Sequence, residues 1–111
     1  MSDQSTIIPF QNAHNHRASP QSIFFDRGEF QAILNIYGKM VASGYWKDYA
    51  ISASKDVATF AVFQKASERP IFRITKTPAL HHKQGAFAIH SSQGQILKRG
   101  QELPQVLKYF E

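Results

Sequence analysis

The feature that most constrains the fold of this chain is a change in the spacing of its apolar residues. In residues 24–44, FFDRGEFQAILNIYGKMVASG, apolar side chains recur every three or four positions. After residue 48 they alternate with polar or small residues instead. The first period is typical of an amphipathic helix and the second of half-buried strands. The chain of 111 residues is therefore expected to form one small domain in which a helix precedes a sheet.

The predicted helix has recognisable signals at both ends. Asp26 followed by Glu29 three positions later indicates a capping box, and Gly44 indicates a left-handed C-terminal cap. Between them lies one wide apolar stripe, with Gln31, Asn35 and Lys39 facing the other way. The stripe comprises Phe30, Ile33, Leu34, Tyr37, Met40 and Val41.

Five short alternating segments follow the helix and predict five strands. They are YAISAS (49–54), VATFAVFQ (57–64), IFRITK (71–76), GAFAIHS (85–91) and QILKR (95–99). The polar turns between them are short, which favours an antiparallel meander. One face of this sheet is expected to carry the core side chains and to receive the helix. These are Phe60, Val62, Phe72, Ile74, Phe87 and Ile89.

The last strand ends in LKRG, residues 97–100, which superficially resembles a phosphate-binding loop. A Walker loop has its lysine after the second glycine and a Ser or Thr behind it, whereas Lys98 and Arg99 precede Gly100. The segment is therefore interpreted as a strand end. Leu103, Val106, Leu107 and Phe110 then recur at helical spacing and predict a C-terminal helix. The fold class is α+β, in the order α-β-β-β-β-β-α.

The second face of the predicted sheet carries small side chains. Its expected members are Ala50, Ser52, Ala61, Ala86 and Ala88. The C-terminal helix has an apolar stripe to bury, and we expect it to cover part of this face. The alternative is a second copy of the protein, because a self-complementary patch suits a two-fold dimer.

Residues 1–22 are rich in Ser, Gln, Asn and His, show no periodicity, and are expected to form a disordered tail. Their one apolar patch, IIPF at residues 7–10, is expected either to stay in a mobile tail or to dock on a sheet edge or a partner. The domain then spans residues 23–111. The start of the chain lacks the pattern of a signal peptide, so a cytoplasmic location is the default expectation.

The net charge of +5 is unevenly distributed. Residues 65–99 contain seven basic residues and one acidic residue, a net charge of +6, and the remainder has a net charge of −1. Such a segment can attract an acidic protein surface or a polyanion. The candidate contact residues, which we expect to gather near one sheet edge or rim, are Arg69, Arg73, Lys76, Lys83, Lys98 and Arg99.

Catalytic and metal-binding patterns are not evident. The chain has no cysteine, no nucleophile elbow and no dinucleotide fingerprint, so we expect neither an enzyme nor a cofactor. The adjacent His81 and His82 are expected to point apart, and all histidines are interpreted as exposed or in loops. They are His14, His16, His81, His82 and His90. Trp46 is interpreted as a lid on the core.

Several blocks of the chain resemble a small, mainly alphaproteobacterial family known as domain of unknown function 2794. They are FDRGEFQAILNIYGKMVASGYWKDYAIS, VATFAVFQKASERPIFRITKTP, KQGAFAIHSSQGQILKRG and LPQVLKYFE, which together cover about residues 24–111. The resemblance implies a single cytosolic domain and carries no activity or site. We therefore expect a non-enzymatic module that binds a protein partner or self-associates, with weak, sequence-nonspecific nucleic-acid binding through residues 65–99 as the alternative.

Overall fold

The computed structural model of the protein describes residues 21–65 and 69–111. The predicted tail lies outside them except for residues 21 and 22, as do the apolar patch at residues 7–10, His14 and His16. The described chain contains one helix, five strands and a C-terminal helix in the predicted order. The α+β class that the two periodicities predicted is therefore confirmed.

The first helix, α1, spans Arg27–Ala42 and begins with the predicted capping box. The Asp26 carboxylate accepts from the Glu29 N–H at 2.8 Å, and the Glu29 carboxylate accepts from the Asp26 N–H at 2.7 Å. These two bonds satisfy backbone donors that have no partner within the helix. Gly44 follows the helix with φ +83°, which confirms the predicted left-handed cap.

The apolar stripe of α1 packs on the core, with two departures from the prediction. Ile33 is completely buried, and Phe30, Leu34, Tyr37 and Met40 contact the core from partly buried positions. Ile36, which was not assigned to the stripe, is also buried. Val41 is 40% exposed, so its assignment to the core was wrong. The buried side of α1 therefore includes Ile36 and excludes Val41, in contrast to the stripe that the spacing predicted.

The sheet is a five-stranded antiparallel meander in which each strand pairs with the next one along the chain. Its strands are β1 (Asp48–Ala53), β2 (Ala58–Phe63), β3 (Phe72–Lys76), β4 (Phe87–Ser91) and β5 (Ile96–Gly100). LKRG therefore lies at the end of β5, as interpreted from the sequence.

Strand register confirms which side chains form the core face. Phe60 is paired with Ile74 and Ile74 with Ile89, so these three side chains stand in one row across the sheet. All three are completely buried. Val62 and Phe72 form a neighbouring pair on the same face. Side chains alternate between faces along a strand, so residues one position away point to the opposite face.

One irregularity interrupts this register in β5. Ile89 is opposite Lys98 and His90 is opposite Ile96, so Leu97 is an extra residue in β5. Such a bulge puts two residues of one strand opposite one residue of its neighbour. Leu97 packs against the core, and Lys98, opposite the core residue Ile89, is exposed on the same side of the sheet.

The C-terminal helix, α2, spans Leu103–Leu107 and lies on the same face of the sheet as α1. Leu103, Val106 and Leu107 are buried in the core with Ile33, and α2 contacts α1, β4 and β5. The prediction that this helix covers the opposite face was therefore wrong. The physical reason is that α1 packs over β1 and β2, so a second element is needed to cover the half of the core face above β4 and β5.

An aromatic cluster links the two helices to the sheet. Trp46, just beyond α1, is 1% exposed and contacts Phe110 edge to face, with ring centroids 4.9 Å apart. Phe110 belongs to the 3₁₀ turn Lys108–Phe110 that follows α2, and it also contacts Phe72. The prediction that Trp46 closes the core is confirmed, and the core lies between the sheet and both helices.

Candidate functional site: the open face of the sheet

Because both helices pack on one side, no described helix covers the other side of the sheet. We call this side the open face. Strand register places two long rows of side chains on it, and the pair Asp48 and Phe63 lies beyond them at one edge. The first row is Ala50, Ala61, Arg73, His90 and the exposed Ile96, and the second is Ser52, Thr59, Thr75, Ala88 and Arg99.

The open face is divided into two chemically different halves. Over β1 and β2 it carries small side chains, among them Ala50, Ser52 and Ala61. Over β3, β4 and β5 it carries Arg73, His90 and Arg99, which we call the Arg–His–Arg cluster. A flat surface of small side chains beside a group of cations can accommodate a partner's backbone and attract its negative charges.

His90 lies at the centre of the Arg–His–Arg cluster. It is directly opposite Arg73 in the β3–β4 register, and its Nε2 lies 3.0 Å from the hydroxyl oxygen of Thr75. Thr75 is 9% exposed and its hydroxyl also donates to the Ala88 carbonyl at 3.5 Å. The imidazole is thus held against the sheet by a neighbouring strand.

The environment of His90 lowers the pKa of its imidazole below the ordinary 6.5. Partial burial is the largest cause, because removal from water penalises the charged ring. A hydrogen bond with the Gly94 backbone opposes this shift, whereas the positive charges of Arg99 and Arg73 reinforce it. The ring is therefore predominantly neutral at neutral pH, and the two guanidinium groups supply the charge of the cluster.

Arg99 is held in place by a contact with the turn that precedes β4. Its Nη1 donates to the Gly85 carbonyl at 3.1 Å. Gly85 has φ +98°, and a Cβ there would lie 2.5 Å from the Gly100 carbonyl carbon. Only glycine fits this close approach of the two chain segments. The position of the Arg99 guanidinium therefore depends on the close contact between the turn before β4 and the end of β5.

The six basic residues predicted as contacts do not form one cluster. Arg73 and Arg99 lie on the open face, but Lys76 lies on the core side and pairs with Glu29 of α1 at 2.7 Å. Lys98 is exposed on the helix side of β5. Arg69 and Lys83 are exposed in connections outside the strands. The prediction that these six residues lie together near one sheet edge was therefore wrong, because consecutive strand residues point to opposite faces.

His90 is the residue of this site that the sequence interpretation missed. It was interpreted as exposed or in a loop, whereas it lies in β4 and is partly buried. The alternation in GAFAIHS contained the signal, because it places His90 on the same face as Ala88 and opposite to Ile89. Its proximity to Arg73 and Arg99 required the strand order, which brings together residues far apart in the chain.

His81 and His82 are exposed in a turn, as predicted, but their relative orientation was predicted incorrectly. His81 and His82 follow the 3₁₀ turn Pro78–Leu80 and do not point apart, since their ring centroids are 4.7 Å apart. A helical turn brings neighbouring side chains closer than the extended backbone assumed for them. Within residues 21–65 and 69–111, no three His, Asp or Glu side chains converge as a metal site would require.

No helix in the described part of the chain is both long enough and apolar enough to span a membrane. The fold and site together define a small α+β domain with one covered and one open sheet face. The family model for a protein of unknown function (DUF2794) matches residues 23–107. The chain belongs to this family. No curated protein and no solved structure matches the chain.

Proposed function

We propose that the protein is a non-enzymatic docking module that binds another protein through its open face. The observation that carries this proposal is the placement of α1 and α2 on the same side of the sheet. An antiparallel sheet commonly leaves one face in water, but such a face usually carries long polar side chains. Here the half over β1 and β2 carries mainly small side chains, Ala50, Ser52 and Ala61, beside Thr59 and Phe63.

The chemistry of the open face supports binding better than catalysis. Thr75 and His90 are within hydrogen-bond distance and superficially resemble a nucleophile with its base. However, the Thr75 side chain is nearly buried and its hydroxyl is also engaged with the Ala88 carbonyl. Little of this residue is exposed, which leaves a substrate carbon little access to that oxygen. The contact is better explained as a support for the imidazole than as a reactive pair.

The charge of the open face favours a different protein over a second copy of this one. Asp48, at the far corner in β1, is the one acidic residue among the described strand residues. A two-fold contact through the Arg–His–Arg cluster would bring like charges together without neutralising them. A heterologous partner avoids this repulsion.

Nucleic-acid binding is the weaker alternative. Binders of single strands stack bases on exposed aromatic rings beside a basic groove. Phe72 and Phe87 contribute to the core, and Phe63 is the one phenyl ring that the described strands place on the open face. Lys76, one of the expected phosphate contacts, is engaged with Glu29. Too few cations remain together for strong backbone binding.

Site-specific photo-cross-linking in the native cell tests the docking role. A benzoylphenylalanine at Ser52 probes the open face, and one at the exposed Gln31 of α1 is the matched control. We expect a protein adduct from Ser52 that survives nuclease and is absent from Gln31. The adduct should disappear when Ala61→Gln adds bulk to the same face, with the fold verified by thermal melting.

Other outcomes of this experiment would overturn the proposal. Equal adducts from Ser52 and Gln31 would show that the open face has no special role. An adduct of twice the chain's mass would indicate self-association, which sedimentation at several concentrations would then check. An adduct that nuclease removes would favour the nucleic-acid alternative.

A further inference from the structure

The Arg–His–Arg cluster contains two guanidinium groups on either side of one imidazole. Arg73 in β3 and Arg99 in β5 are separated by the intervening strand β4. Strands are spaced by about 4.8 Å, and Arg99 is level with Thr75, two residues (about 6.8 Å) along the strand from Arg73, so the two backbone positions are roughly 12 Å apart. His90 lies between them and is close enough for both positive charges to affect it. The cluster is therefore a short basic strip across three strands.

The positive charges of this strip are not neutralised within the described part of the chain. The Arg73 side chain has no hydrogen bond or ion pair to any residue in 21–65 or 69–111. Arg99 uses one N–H on the Gly85 carbonyl, and a guanidinium has five donors. Asp48 lies two strands from Arg73, on the outer strand β1. Both guanidinium groups thus retain donors that an external anion could accept.

We infer that the Arg–His–Arg cluster anchors an acidic segment of the partner protein by binding its carboxylates. This inference rests on the proposed docking role of the open face and adds the chemistry of what docks there. Arginine binds carboxylates through two parallel hydrogen bonds, which gives orientation as well as attraction. His90 contributes a polar ring between the two arginines with little charge of its own at neutral pH.

The dimensions of the strip suit an extended acidic segment. Side chains two positions apart on an extended chain point the same way and are about 6.8 Å apart. Two such carboxylates fall within the reach of two arginine side chains whose backbones are roughly 12 Å apart. The rest of the segment would then cross the small side chains of Ala61 and Ala50, which share the row of Arg73. A bulkier surface there would hold the segment away from the sheet.

Nuclear magnetic resonance with the isotopically labelled full chain tests the inference, with a hexaglutamate peptide as the probe. We expect the peptide to shift the amide signals of Arg73, His90 and Arg99 in a saturable manner. Arg99→Gln and Arg73→Gln should each weaken binding roughly threefold to tenfold. Lys98→Gln is the matched control, because it removes the same charge from the neighbouring residue on the opposite side of the sheet. It should leave the affinity unchanged.

Three results would overturn the inference. Shifts that do not saturate would mean that the cluster has no carboxylate site, while the cross-linking result could still support docking on the open face. An equal loss with Lys98→Gln would show that only net charge matters. Tighter binding of an oligothymidylate than of hexaglutamate, at equal charge and salt, would assign the cluster to phosphates.

Discussion

The Lys76 ammonium group lies 2.7 Å from the Glu29 carboxylate and joins β3 to the first turn of α1. The same Glu29 oxygen accepts from the Asp26 N–H in the capping box, and Lys76 also donates to the Phe24 carbonyl at 3.0 Å. Both charged side chains are largely shielded from water. The pair therefore connects the start of the helix, the segment before it and the middle of the sheet.

Lys76→Met should destabilise the fold, because it leaves Glu29 without its cation while keeping most of the apolar stem. We expect a loss of about 1–3 kcal/mol in the free energy of unfolding, the range for leaving a buried polar group without its hydrogen-bond partner. Chemical denaturation measures this loss. Lys83→Met, in an exposed turn, is the control and should change the free energy by less than about 0.5 kcal/mol. Equal effects of the two variants would contradict a structural role for the ion pair.

Gly85→Ala should be much more costly than Gly94→Ala. Both glycines have positive φ, so each alanine incurs a backbone penalty of about 1–2 kcal/mol. At Gly85 the new Cβ would also meet the Gly100 carbonyl carbon at 2.5 Å, whereas at Gly94 nothing lies within 4 Å. The clash should add about 1–3 kcal/mol at Gly85. Chemical denaturation gives the loss in the free energy of unfolding for each variant. Similar losses for the two would show that the backbones of β4 and β5 can separate freely at Gly85.

Phe60→Ala tests the core and the strand register together. Phe60 is completely buried and stacks on Tyr49 with ring centroids 4.8 Å apart. Its truncation should cost about 3–5 kcal/mol. Val41→Ala, at the exposed position that the helical spacing wrongly assigned to the core, should cost less than about 0.5 kcal/mol. A loss below about 1 kcal/mol for Phe60→Ala would contradict its place at the centre of the core.

Titration of the His90 ring proton by nuclear magnetic resonance should give a pKa below 6.5. Arg99→Gln and Arg73→Gln should each raise this pKa towards its ordinary value, because each removes a positive charge that opposes protonation. Burial, the largest cause of the lowered pKa, remains in both variants, so neither is expected to restore the ordinary value completely. Lys83→Gln, which removes an equal charge from an exposed turn, should leave the pKa unchanged.

The lowered pKa of His90 also makes the free energy of unfolding depend on pH. Below pH 6.5 the unfolded chain takes up a proton at His90 more readily than the folded chain does. The stability contributed by this group is therefore present above pH 6.5 and is lost as the pH falls towards the pKa of the folded state. His90→Gln cannot titrate and should lose less stability than the wild type between about pH 7.5 and about pH 5. A steeper loss in the variant would contradict the direction of the shift.

The sequence alone was sufficient to locate the helices and strands, because their periodicities are local properties. The capping box of Asp26 and Glu29, the cap at Gly44 and the core face of β2 and β3 were all predicted within a few residues. Alternation also placed Lys76 on the same face as Ile74, a signal that was overlooked when Lys76 was grouped with Arg73. Part of the error in the candidate site was therefore avoidable.

Contacts between distant segments of the chain determined the features that local spacing did not predict. The apolar stripe of α2 required burial, but either sheet face could have provided it. The outcome depended on how much of the core face α1 left uncovered over β4 and β5. The bulge at Leu97 then placed Ile96 opposite His90, on the other side of the sheet from Lys98. Only the folded sheet brings Arg73, His90 and Arg99 together, because strand pairing depends on the summed packing of the whole core and local spacing does not encode it.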